Sequence, residues 1–143
     1  MPHFETMLVA QNILIDRDSN NMSIINVIDE IVVPKDAVEP EKGKVTARAF
    51  SMMALGIWRR SNRAEPEIAD ARVRFFGPRS KELLGTTEVK VDLSGTLTRK
   101  RTVVKFDAFP YVGVGIYRIE FQLKSGAKWL STGSSEFTVR KAE

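Results

Sequence analysis

The 143-residue sequence predicts an all-β fold: an antiparallel two-sheet β-sandwich, Ig-like or C2-like in outline, with about eight strands in a single domain spanning residues 1–143. Three observations predict it. Short stretches of β-branched and aromatic residues recur along the chain, separated by Asx, Gly and Pro clusters at roughly 8–12-residue spacing. Apolar and polar residues alternate with period two through the second half, as in antiparallel strands with one wet face. No segment of helical length carries an apolar stripe of 3.6-residue period.

Met7–Ile15 reads as the first strand, with Met7, Val9, Ile13 and Ile15 on one face. Asp16–Asn21 is a turn, because Asx side chains bond nearby amides and tolerate left-handed backbone. Ser23–Val33 returns to close an N-terminal hairpin, and Pro34–Lys44 is a polar loop. Val45–Trp58 is apolar on both faces, so it is either a central strand covered on both sides or one that breaks at Gly56. Arg59–Pro66 is a polar connection. Ala69, Ala71, Val73 and Phe75 then alternate with Asp70, Arg72 and Arg74 up to Gly77-Pro78.

Val89, Val91 and Leu93 alternate with Glu88, Lys90 and Asp92 before the Ser94-Gly95 turn. Thr102, Val104, Phe106 and Ala108 alternate with Arg101, Val103, Lys105 and Asp107. Beyond Phe109-Pro110 and Gly113–Gly115, Tyr117, Ile119, Phe121 and Leu123 alternate with Arg118, Glu120, Gln122 and Lys124. Ser125-Gly126 turns the chain into Trp129–Arg140, with Phe137 and Val139 inward and a bulge expected at Ser131–Ser135. Phe106, Tyr117, Ile119 and Phe121 are the candidate core of two neighbouring strands, and Glu120 faces outward.

Composition removes most chemistry. With no Cys there are no disulfides, thiolate metal sites or cysteine nucleophiles, and a single His, His3, makes a Ser-His-Asp triad improbable. No P-loop occurs, and Gly113-Val114-Gly115 lacks the third glycine and following helix of a dinucleotide fingerprint. Asp16-x-Asp18-x-Asn20 has the first three spacings of a calcium loop, but Asn21 and Val27 stand where that pattern needs Gly and Glu, so an Asx-stabilised turn is the simpler reading. The chain is expected to be non-enzymatic and to need no cofactor. Without a signal-peptide h-region or a long apolar run, it is expected to be cytoplasmic and to make no integral membrane contact.

Charge is uneven. Residues 1–58 carry 5 Lys and Arg against 8 Asp and Glu, and residues 59–143 carry 17 against 10. Arg99, Lys100, Arg101 and Lys105 form one dense basic group, a candidate contact for nucleic acid or an acidic membrane surface, or else edge-strand charges that block sheet aggregation. Arg59, Arg60 and Arg63 form another. Trp58, Tyr111 and Trp129 are either stacking platforms or packing residues. The double-sided Val45–Trp58 needs a cover on its second face, either the Pro34–Lys44 loop or another chain. Phe50, Met52 and Trp58 are therefore candidate self-association residues, and a homodimer, or another protein partner, is the expected occupant.

Two segments, Ala10–Ile31 (strand, Asp/Asn turn, return strand) and Phe109–Leu123 (Pro/Gly turn, then an aromatic alternating strand), together resemble an uncharacterised family of small bacterial single-domain β-sandwich proteins. That family's pattern has an acidic residue near position 12 and a glycine near position 26, where this chain has Asn12 and Asn26. The resemblance implies a β-sandwich and carries no assigned activity.

Overall fold

Eleven strands and no helix make up the computed structural model, which describes residues 1–79 and 82–143. They are β1 (His3–Ile15), β2 (Met22–Val27), β3 (Glu30–Val33), β4 (Thr46–Arg48), β5 (Met52–Arg59), β6 (Glu67–Phe76), β7 (Leu83–Leu93), β8 (Arg99–Phe106), β9 (Phe109–Tyr111), β10 (Gly115–Ser125) and β11 (Lys128–Lys141). They form a four-stranded sheet in the order β2-β1-β5-β8, a five-stranded sheet in the order β3-β11-β10-β6-β7, and a small β4-β9 pair. The all-β expectation holds, while the count of about eight strands and the purely antiparallel pairing do not.

Both corrections come from segments that change partner midway. Ser23–Val33 splits at Ile28-Asp29: β2 stays beside β1, whereas β3 crosses to the other sheet and pairs in parallel with β11, Val139 opposite Ile31. Val45–Trp58 splits at Ala49–Ser51 and not at Gly56; β4 pairs with β9 and β5 joins β1 and β8. Gly56 stays within the strand because a Cβ there would lie 3.1 Å from the Phe121 ring and 3.2 Å from that of Phe4. It marks a close approach, not a break.

The inner faces of the two large sheets share one core. Val9, Met52, Ala54, Trp58 and Val104 come from the four-stranded side, and Ala71, Val73, Phe75, Tyr117, Ile119, Phe121 and Phe137 from the five-stranded side. Phe4, Trp58 and Phe121 meet edge-on or tilted at one end of it, with ring centroids 4.7–6.0 Å apart, the geometry that the aromatic quadrupole favours. Tyr117, Ile119 and Phe121 are fully buried, as the alternation predicts. Phe106 is half-buried on β8, in the opposite sheet from β10, and reaches the same core edge-to-face with Phe75 at 5.4 Å. It is not on a strand neighbouring Tyr117. The expected irregularity in the last strand falls at Thr132, where the register with β10 shifts between Phe121 and Gln122 and the Thr132 hydroxyl donates to Phe121 O at 2.9 Å.

Two side chains tie loops to this core. The Arg60 guanidinium is buried and donates to the carbonyls of Leu93, Arg63 and Gly95, which fixes the connection from β7 to β8. The Tyr117 hydroxyl donates to Gly113 O at 2.6 Å and accepts from Val112 N at 2.9 Å, which closes the turn that leads into its own strand. Burial pushes the Tyr117 phenol up to about 12 and, with Glu39 nearby, raises Tyr111 in the same direction. A phenol whose pKa is raised by folding stabilises the fold fully below its unfolded value of 10.0 and ceases to do so as pH rises through about 12. These are the chain's two tyrosines. Ultraviolet titration is therefore expected to show less than half of the tyrosine ionised at pH 10, with Tyr117 ionising nearer pH 12; half-ionisation at pH 10 would contradict this burial.

Candidate interaction surface

Strand β5 is buried on both faces. Met52, Ala54 and Trp58 point into the main core, and Leu55 points outward into a second cluster with Ala10 and Ile13, flanked by Leu8, Met22, Met53 and Ile57. The β1–β2 hairpin, and not Pro34–Lys44, packs on that outer side. Pairing of β1 with β5 ends at Ala10 opposite Met53, and beyond it β1 pairs with β2 alone, from Asn12–Ile25 to Ile15–Met22. The ladder skips Gln11 and Asn26. Asn26 takes a left-handed φ of 52° and its amide donates to Gln11 Oε1 at 2.8 Å, a conformation that Asn tolerates better than most residues. The bend carries the hairpin back across the sheet, so Ile13 and Met22 pack with Leu55 and Ile57. Ile13 therefore shares a face with Ala10 and not with Met7 and Val9, contrary to simple alternation.

The hairpin tip reaches β8, where Asn20 Oδ1 accepts from an Arg101 Nη at 2.6 Å. The Asp16 carboxylate is turned into its own loop, accepting from Asp18 N at 3.0 Å and Ser19 Oγ at 2.9 Å, and those bonds lower its pKa. Asn20 thus faces a cation donor, and the Asp16-x-Asp18-x-Asn20 spacing acts as an Asx turn. No cluster of three metal-ligating side chains occurs among the described residues.

The self-association candidates are displaced by this geometry. Met52 and Trp58 are 0% exposed and Phe50 is half-buried against the main core, so in the folded chain Met52 and Trp58 cannot meet a partner. What the hairpin leaves in water instead is Leu14, Ile15, Ile24, Ile25 and Val27, the last 56% exposed. β2 is an edge strand, and Met22–Val27 contains no charged residue. The other long edges differ: β8 carries Arg99, Lys100, Arg101 and Lys105, and β7 carries Glu88, Lys90 and Asp92.

Those β8 cations are largely engaged already. Arg99 Nε lies 2.6 Å from Glu5, which also holds Arg59 at 3.2 Å; Arg101 holds Asn20; Lys105 lies 3.5 Å from Asp107. By strand alternation Lys100 points to the opposite face, where its charge helps lower the Asp92 carboxyl behind the bonds from Ser94. The structure thus gathers Arg99 and Arg101 with Arg59 and sets Lys100 and Lys105 apart. Arg60 is not available to an anion, since backbone carbonyls surround it. Trp58 and Tyr111 are core residues, and the Trp129 ring is covered by the Arg72 guanidinium at 4.3 Å. Sequence reasoning missed Glu5; it marked Ser23–Val33 as apolar on both faces but named none of the five exposed hairpin residues as contacts. The signal for Ile24, Ile25 and Val27 was the uncharged run Asn20–Ile28 in a chain with 28% charged residues.

Glu120 also needs correction. It does project from the outer face of the five-stranded sheet, but it is only 7% exposed, lying 3.4 Å from Arg118 and accepting from Gln122 at 2.9 Å.

No family model matches the chain, and no curated protein matches it. Among solved structures it is similar to a β-glucosidase from Kluyveromyces marxianus, at 16% identity and a TM-score of 0.44 over 68% of this chain and 14% of that one. The glucose complex of that enzyme gives 17% and 0.45 over 69% and 13%. The chain therefore spans about a seventh of that enzyme's length, and a likeness this loose carries no argument about fold or activity.

Phe121→Ala is expected to cost about 3–5 kcal/mol in chemical denaturation. Glu120→Ala should cost about 1–2 kcal/mol, above the half kcal/mol or less of a freely solvated position, because it leaves Arg118 without its carboxylate and Gln122 without an acceptor. A Glu120→Ala variant as stable as wild type would show that this carboxylate is fully solvated.

Proposed function

We propose that the chain is a non-enzymatic interaction module, a β-sandwich of Ig-like or C2-like outline, that pairs with a second copy of itself along β2. The observation that carries the reading is the edge itself: six exposed or half-buried residues, Met22–Val27, with no charge, no proline and no covering element. Native sheets normally protect an edge with Lys, Pro, a bulge or a cover; apart from the bend at Asn26, β2 has none of these among the described residues, so this apolar edge fits strand addition. A second copy suits it because two uncharged β2 strands can run antiparallel about a two-fold axis with no like charges opposed, and Ile24, Ile25 and Val27 add apolar contact. The lone His, the absence of Cys and the engagement of the basic clusters in internal contacts support a binding role over catalysis. Membership of the small bacterial β-sandwich family is part of the same proposal; the left-handed Asn26 stands where that family's pattern has glycine.

Sedimentation over a wide concentration range tests the pairing. The wild type is expected to dimerise, and Ile25→Lys, which places a charge on the exposed edge, to stay monomeric, with the melting temperature of the wild type at dilutions where the wild type is also monomeric. A wild type that is monomeric throughout would overturn the reading.

A further inference from the structure

We infer that the cleft between the hairpin tip and β8 is a binding site for a small phosphate oxyanion, a property independent of strand pairing along β2. The cleft, of about 280 Å³, is lined by Asn20, Asn21, Met22, Ile57 and Arg99–Arg101. At roughly 30 Å³ per water it holds a tetrahedral oxyanion with a few waters. Its wall comes from the outer face of β5–β8, where the register sets Ile57 opposite Arg101 and Arg59 opposite Arg99. Arg99 and Arg101 line the cleft, and Arg59 sits on the same face beside it.

The charge balance there is unequal. Glu5 is the carboxylate ion-paired with these arginines, and Arg59 and Arg99 divide it, at 3.2 and 2.6 Å. Arg101 bonds to a neutral carboxamide instead. The acidic residues of the tip do not line the cleft, and Asp16 is tied into its own turn. The site therefore keeps net positive charge beside the polar residues Asn20 and Asn21, and the planar guanidinium fork suits phosphate oxygens. Holding Arg101 against the tip also restrains its rotamers before a ligand arrives, which lowers the entropy lost on binding.

Inorganic phosphate is the first probe, titrated against the amide spectrum with sodium chloride at matched ionic strength as the control. Saturable shifts at Asn20, Asn21 and Arg101 are expected, half-complete at a concentration on the order of millimolar. Glycerol phosphate in a second arm distinguishes a free from an esterified phosphate by which saturates first. Arg101→Gln should weaken binding about tenfold. Glu5→Gln should tighten it by releasing Arg99, which lines the cleft, an effect that a misfolded variant would not produce. Shifts that chloride reproduces, or a Glu5→Gln variant that binds no better than wild type, would overturn the site.

Discussion

Strand β5 is apolar on both sides, and most of the architecture follows from having to cover both. Met52, Ala54 and Trp58 meet the five-stranded sheet, while Leu55, Met53 and Ile57 would face water if the four-stranded sheet were bare. Leaving such a stripe exposed costs roughly 1.5–3 kcal/mol per large side chain. The chain removes the cost internally by lengthening β1 past its last contact with β5 and bending the surplus back as a hairpin. Ile13 and Met22 then close the outer side. The bend needs a residue that accepts left-handed backbone within a strand, and Asn26 supplies it.

This solution moves apolar exposure instead of abolishing it. The hairpin that covers Leu55 has its own second face and its own free edge, and Leu14, Ile24, Ile25 and Val27 sit there. The same hairpin brings its tip to β8, so the contact that pins the cover, Asn20 to Arg101, also shapes the basic cleft. Covering β5, presenting β2 and closing one side of the basic cleft are three consequences of one fold-back.

Much of this was legible in residues. Alternation along Tyr117–Leu123 and Ala69–Phe75 gives their inward faces correctly, and the double-sided character of Val45–Trp58 correctly demands a second cover. The identity of the cover was not legible, because a bend at Gln11/Asn26 is a backbone event at two polar residues that periodicity treats as ordinary strand. The partner switches at Ile28-Asp29 and Ala49–Ser51 were hidden for a related reason: each joins two β-rich stretches without the Gly or Pro that usually marks a break. Exposure was misjudged at Met52 and Trp58 because composition gives the apolar faces of a strand but not which one is the core. The basic cleft was half visible: Arg99 and Arg101 stood out, whereas Glu5 and Arg59 join them only through the register of β1, β5 and β8.

The fold-back is tested most directly by methyl and backbone nuclear Overhauser effects in a sample that mixes labelled and unlabelled chains. Contacts from Ile13 and Met22 to Leu55 and Ile57 are expected within single chains, and at concentrations where the protein is monomeric. Absence of those contacts, or their appearance only between chains, would mean that another molecule covers β5 and that the hairpin is not its lid.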